Sequence, residues 1–275
     1  MSPRKMKPNS ICACGRKLCE AFLTVCGPRF CGGRFFSGKI MRTPLRSGPV
    51  SCMLYIRFDF YLVKEVGFLS LFFRYALGVL IGYALGCLNP AWLLARRMGV
   101  DIRGKGTGNP GASNVFALMG KRYGVLVAVF DIGKAMLAVW LSGILFPDLP
   151  LIREAAGAAS VLGHMYPFYL HFRGGKGFAS SLGMIGGLNL RFALCLGAVI
   201  LLLIFITDYV VVGTVVTQIS YPVYCLFTHQ TMAALIVSVV SLIILYKHRQ
   251  NYVRILNGTE TGVRKAGRGD LRVKK

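Results

Sequence analysis

The chain has 275 residues, of which 55% are hydrophobic, and a formal net charge of +23. Its Lys and Arg residues cluster between long apolar runs instead of being spread evenly, which excludes an ordinary soluble domain and makes the bilayer the expected solvent. The predicted class is an all-α integral membrane protein.

In chain order, residues 1–52 come first. They carry Arg4, Lys5, Lys7, Arg16, Lys17, Arg29, Arg34, Lys39, Arg42 and Arg46 against Glu20 alone. Six cysteines (Cys12, Cys14, Cys19, Cys26, Cys31 and Cys52) accompany them, without the paired C-x-x-C spacing that zinc sites favour, so no metal site is predicted. So basic a tail is hard to push across a membrane. Between Met53 and Ser70, by contrast, Arg57 and Lys64 balance Asp59 and Glu65. Residues 1–52 are therefore read as a non-native or disordered leader, with a native start near Met53. A basic nucleic-acid arm or a transit peptide is the rival reading. A membrane domain over 53–260 and a basic cytoplasmic tail over 261–275 complete the division.

About seven transmembrane helices are predicted, near 69–97, 122–146, 152–171, 177–190, 191–207, 210–228 and 230–246; the fourth is short and Gly-rich. Three basic segments follow the first, third and last spans: Arg96 to Arg122, Arg173 with Lys176, and Lys247 onward. The connection after the second span holds only Asp148, Arg153 and Glu154. With seven spans all three basic segments share one side, which the positive-inside rule makes cytoplasmic, leaving the N-terminus outside.

The first loop, Asp101 to Asn114, reads DIRGKGTGNPGASN. Gly104, Gly106, Gly108 and Gly111 free the backbone to turn and offer N–H groups to an anion, and Arg103 and Lys105 supply charge. Thr107, Asn109, Ser113 and Asn114 add neutral donors. Gly106-x-Gly108-x-x-Gly111 also fits a dinucleotide fingerprint, but no strand precedes it. The second loop, Phe172-Arg173-Gly174-Gly175-Lys176-Gly177, opens a span, where a helix dipole favours phosphate. It lacks the P-loop spacing and trailing hydroxyl, which argues against nucleotide hydrolysis. In the third segment, Lys247 to Arg254, helical spacing puts His248 and Asn251 on one face with Arg254 further along, and Gly258-Thr259-Glu260 follows. Inside the spans, Asp131 and Lys134 are spaced to pair, with structural and functional roles both open. Arg74 is expected to snorkel outward, and His164 and His229 to be ordinary interior or boundary residues.

Taken together, three separated segments resemble the bacterial acyl-phosphate:glycerol-3-phosphate acyltransferase family. They are Gly86-Cys87-Leu88-Asn89-Pro90 with Asp101-Ile102-Arg103 and Gly106 through Asn114; Gly174-Gly175-Lys176-Gly177; and His248-Arg249-x-Asn251 with Gly258-Thr259-Glu260. The likeness runs from about Leu77 to Glu260. It implies transfer of a fatty acyl group from acyl phosphate, not acyl-CoA, to the 1-hydroxyl of glycerol 3-phosphate, giving lysophosphatidic acid without metal or cofactor. The resemblance further implies that Thr107, Gly108 and Asn109 cradle a phosphate. The Lys176 loop would help hold glycerol 3-phosphate, and His248 and Asn251 would complete the site.

On this basis His248, Asn251 and Thr107 are assigned as catalytic. Arg103, Gly106, Gly108, Asn109, Ser113, Asn114, Gly174, Gly175, Lys176, Gly177, Arg249 and Arg254 are assigned to substrate, and Glu260, Asp131 and Lys134 to structure. Membrane lipid and an enzyme producing acyl phosphate are the expected partners, with no nucleic acid, in a bacterial plasma membrane that the chain crosses several times. Three positions depart from the family's habit: Thr107 and Cys87 stand where Ser is common, and Ala117 where Arg is usual, leaving Lys121 or Arg122 to substitute. An anion transporter and a catalytically silent paralogue are the alternatives. His followed five residues later by Asp, needed by the acyl-CoA class, does not occur.

Overall fold

The computed structural model describes residues 49–267. The predicted leader up to residue 48, and residues 268–275 of the predicted tail, lie outside the described residues. The chain divides into two units, Met1–Phe58 and Asp59–Lys275, and the second holds the features discussed below. Every regular element among the described residues is helical: α1 (Pro49–Cys87), α2 (Pro90–Arg97), α3 (Ala112–Met119), α4 (Lys121–Leu145), α5 (Ile152–Met165), a 3-10 turn (Phe168–Leu170), α6 (Phe178–Leu188), α7 (Leu190–Thr207), α8 (Val210–Phe227), α9 (Thr231–Lys247), α10 (Arg249–Leu256) and α11 (Val263–Gly267).

All seven expected segments are helical, and they differ in length. Leu69–Arg97, α4, α7 and α8 are long and apolar enough to cross a bilayer, and α9 with α10, bent by 47° at His248, makes a fifth if counted as one. Helices α5 and α6 have 14 and 11 residues. At about 1.5 Å per residue they reach only about 21 and 17 Å, short of a hydrocarbon core roughly 30 Å thick. The brevity of α6 matches its short, Gly-rich segment, whereas α5 stops at Met165 although the predicted apolar stretch runs on to residue 171.

Hydrogen bonds sort the helix termini into two ends. At one, the Tyr169 hydroxyl donates to the Cys87 carbonyl at 2.6 Å, Lys247 Nζ to the Met165 carbonyl at 3.1 Å and the Val263 amide to the Asp208 carbonyl at 2.9 Å. The C-terminal ends of α1, α5, α9 and α7 thereby gather there, and the three predicted motif segments are the connections at this end. At the other end Arg74, instead of pointing freely outward, donates to Asp148 at 2.8 Å, and Arg153 Nη2 donates to the Gly187 carbonyl at 2.6 Å.

In lipid, helices gain little from burying apolar surface, so close approach of small residues and interhelical hydrogen bonds must hold them. On α1, Gly78, Gly82 and Gly86 recur every four residues against Ile152, Ala156 and Ser160 of α5, and a Cβ on Gly82 or Gly86 would overlap the facing backbone carbonyl. Gly163 of α5 answers by fitting under the Tyr83 carbonyl. Gly183 and Gly187 of α6 pack in the same way on Ile132 and Val139 of α4. Deeper in the bundle, Ser241 donates to Gln218 Oε1 at 3.0 Å and Gln218 Nε2 to Ser181 at 2.9 Å, joining α9, α8 and α6. Large apolar side chains such as Leu126, Leu201, Phe205 and Leu242 are left exposed for lipid.

Candidate active site

The first loop is shaped from within. Asn89 caps α2 by accepting from the Trp92 amide at 2.9 Å, and its Nδ2 donates to the Pro110 carbonyl at 3.2 Å. Fully buried Asn114, the third residue of α3, holds the middle: Oδ1 accepts from the Thr107 amide at 2.9 Å, and Nδ2 donates to the carbonyls of Ile102 and Lys105, each at 3.1 Å. Gly106, at φ +61°, lies so close to the Asn114 carboxamide that a Cβ would collide with it. Asn114 was expected at substrate; its polar atoms are instead committed to the loop. The side chains left exposed are those of Asp101, Arg103, Lys105, Thr107 and Ser113, with Arg103 Nε 3.3 Å from Asp101 Oδ1. Ala117 is buried on α3, while Lys121 and Arg122 are exposed at the start of α4.

The second loop folds back on the end of α5. The Gly174 amide donates to the Met165 carbonyl and the Gly175 amide to the His164 carbonyl, both at 3.1 Å. Neither glycine has room for a Cβ: Gly175 lies against the His164 ring, and Gly174 against the His164 carbonyl and Pro167. Lys247 closes the loop from α9, reaching the Gly175 carbonyl at 3.3 Å and lying over the Tyr166 ring.

The third segment begins at the α9–α10 bend, where His248 is 6% exposed. Its Nδ1 lies 2.8 Å from the Ile244 carbonyl one turn back, which only a protonated Nδ1 can satisfy, so Nε2 carries the lone pair. Lys176 Nζ donates to Asn251 Oδ1, tying the second loop to the third segment. Asn251 Nδ2 donates to Glu260 Oε1 at 2.6 Å, and Arg254 Nε donates to Glu260 Oε2 at 2.6 Å. One carboxylate thus bonds both residues at once. Arg254 Nη2 is a buried donor with no partner among the described residues. Beyond Glu260 the chain is pinned again, with the Arg264 amide donating to Asp208 Oδ1 at 2.9 Å. Arg249 points elsewhere, stacking on Tyr246 with its guanidinium 4.3 Å from the ring centre, on an exposed face.

Burial, reinforced by the Arg254 cation, lowers the Lys176 amine to about 8. Burial likewise pushes the His248 imidazole down to about 4, so it is neutral at physiological pH. One end of the bundle therefore holds a readily discharged amine, a guanidinium with a spare donor and a neutral imidazole with a free lone pair. Such a set is suited to bind a phosphate and take a proton beside it.

Within the spans, Asp131 Oδ1 and Lys134 Nζ are 2.7 Å apart, as their spacing allowed. The sequence reading missed His164, whose Nδ1 lies 3.0 Å from Lys134 Nζ and 3.1 Å from Asp131 Oδ1. The one signal was indirect: a carboxylate and an amine buried in lipid call for further polar partners.

A multi-pass helical protein with a cationic, imidazole-bearing site at one end of its bundle belongs among membrane proteins that handle phosphorylated substrates. Comparison with known proteins narrows this. The family model for glycerol-3-phosphate acyltransferase matches residues 76–258. A glycerol-3-phosphate acyltransferase of Photobacterium profundum is 39% identical over 189 residues, covering 67% of this chain and 91% of the relative. The crystal structure of PlsY, an integral membrane glycerol 3-phosphate acyltransferase, in its glycerol 3-phosphate form is similar with a TM-score of 0.65 and 33% identity, over 68% of this chain and 94% of that one. Its lysophosphatidic acid form matches with a TM-score of 0.63 and 32% identity, over 70% and 97%. The chain belongs to the glycerol-3-phosphate acyltransferase family of integral membrane enzymes.

Proposed function

We propose that this enzyme joins a fatty acyl group from acyl phosphate to the 1-hydroxyl of glycerol 3-phosphate, in a bacterial plasma membrane with the three motif segments facing the cytoplasm. The observation that carries the reading is the Lys176–Asn251–Glu260–Arg254 network beside His248. In this reading the acceptor's phosphate takes the place of Asn251 as partner to Lys176 and satisfies the spare Arg254 donor, while the hydroxyl is aimed at the acyl carbonyl. Acyl phosphate is already activated. As the hydroxyl oxygen bonds to the carbonyl carbon, the bond from that carbon to the phosphate oxygen breaks. The proton passes to His248 Nε2 or to the departing phosphate.

The first loop, with Gly106, Thr107, Gly108, Asn109 and Ser113 around Arg103 and Lys105, receives the departing phosphate of the donor. Glycines at Gly174, Gly175 and Gly177 let the second loop pack tightly enough to hold Lys176 in place. The acyl chain lies along the exposed apolar helices, which is why a water-soluble acceptor is handled in a membrane. An enzyme that makes acyl phosphate is the natural partner, because the donor is labile and amphipathic.

Purified protein in lipid, given acyl phosphate and labelled glycerol 3-phosphate, tests the reading. Labelled lysophosphatidic acid should form with acyl phosphate and not with acyl-CoA. Vectorial phosphate flux without ester formation would replace it with a transporter.

A further inference from the structure

The first loop belongs to one helix pair and the Lys176 loop to another, yet both must face one substrate pair at fixed spacing. Between them lies the buried cluster of Asp131, Lys134 and His164, which the acyl-transfer chemistry does not use. Lys134 Nζ reaches three groups: it donates to the Leu88 carbonyl at 2.5 Å, lies 3.0 Å from His164 Nδ1, and pairs with Asp131 Oδ1 at 2.7 Å. Leu88 precedes Asn89, whose side chain holds the Pro110 carbonyl of the first loop. On the other side, the His164 carbonyl accepts from the Gly175 amide, and its ring fills the space a Cβ on Gly175 would need. Gly175 is the residue before Lys176. The continuous path is therefore first loop, Asn89, Leu88, Lys134, His164, Gly175, Lys176, and a single amine forms its middle link.

We propose that Lys134, with Asp131 as its counter-charge, is a positioning residue that sets the distance between the first loop and the Lys176 loop. This rests on the acyl-transfer reading. A structural ion pair needs only its partner, whereas this amine also holds a backbone carbonyl at the root of one loop and a ring that wedges the root of the other. Buried amines are costly in lipid, and a pair of apolar side chains would serve stability as well.

The test uses the Asp131→Asn/Lys134→Met double variant, which removes both charges and keeps volume, so that no charge is left stranded. Purified in lipid, it should melt close to the unaltered protein. Its KM for glycerol 3-phosphate should rise about tenfold or more, as expected when loops drift by a fraction of an ångström, with a smaller change in kcat. Lys134→Arg, which keeps the charge and several donors, should recover part of the lost affinity. A double variant that folds with unaltered KM overturns the proposal, as does one whose kcat falls while KM stays fixed. If the double variant does not fold, Asn89→Ala decides, since it cuts the same path at the first loop and leaves the cluster intact: a raised KM supports the proposal and an unchanged one overturns it. An unaltered protein that makes no ester from acyl phosphate refutes the acyl-transfer reading instead, so the two failures are distinct.

Discussion

The first loop and the pocket formed by the second loop with the third segment are built on opposite plans. The first takes its shape from one buried carboxamide, Asn114, bonded to three backbone groups, and its cations stay exposed. The other pocket is held by charged and polar side chains bonded to one another, with Lys176, Asn251, Glu260 and Arg254 in a single chain. A scaffold of backbone bonds survives loss of any one surface cation. A side-chain network does not, because each member aligns the next. Acceptor recognition should therefore be concentrated in a few residues, and donor-phosphate recognition spread over many.

The sharpest way to break this contrast is Lys176→Ala. It should lower kcat/KM for glycerol 3-phosphate about 100-fold to 1,000-fold, the usual cost of removing one charged donor from a reacting site. His248→Ala should come next, cutting kcat about 100-fold with little change in KM, in keeping with a general base. Unchanged steady-state kinetics in both variants would remove these roles.

Asn114→Ala probes the other plan. Leaving one buried and two half-buried backbone groups without their partner should cost about 1–3 kcal/mol of stability, read as a lower melting temperature in detergent. Its effect on glycerol 3-phosphate KM should be smaller than that of Lys176→Ala.

A smaller effect comes from pH. The Lys176 amine is protonated below about 8 and neutral above it, so acceptor affinity falls as pH climbs through that value. From about half a unit below to half a unit above, KM should rise about threefold, and Lys176→Ala should flatten the profile. Smallest of all, Arg249→Ala should alter kcat/KM by less than about twofold, because that guanidinium is exposed and stacked on Tyr246. A large loss there would show that the cations of the third segment act as a set.

Much of this was legible in order and spacing. Apolar runs gave the helices, and the placement of Arg and Lys put three loops at one end. Helical spacing put His248 and Asn251 on a common face, and Asp131 and Lys134 within reach of each other. Less accessible was anything decided between distant segments. Hydropathy could not show that α5 ends at Met165, because the apolar stretch runs on into the 3-10 turn that follows. Neither could it show that Asn114 turns inward and Arg249 outward, since the same donor serves loop or ligand according to the backbone around it. His164 was passed over because its partners lie about thirty residues away on another helix.

The row of glycines on α1 has a consequence for how substitutions would be tolerated. Gly86 touches the Ser160 carbonyl and is followed within two residues by Leu88, whose own carbonyl grips Lys134. A single methyl at Gly86 or Gly82 would lever α1 outward and carry that grip with it, so a neutral change on the packed face of this helix should register as a fault at the catalytic end. Leucines on the lipid side of the same helix should drift freely; remoteness from the chemistry counts for less than which face a residue occupies.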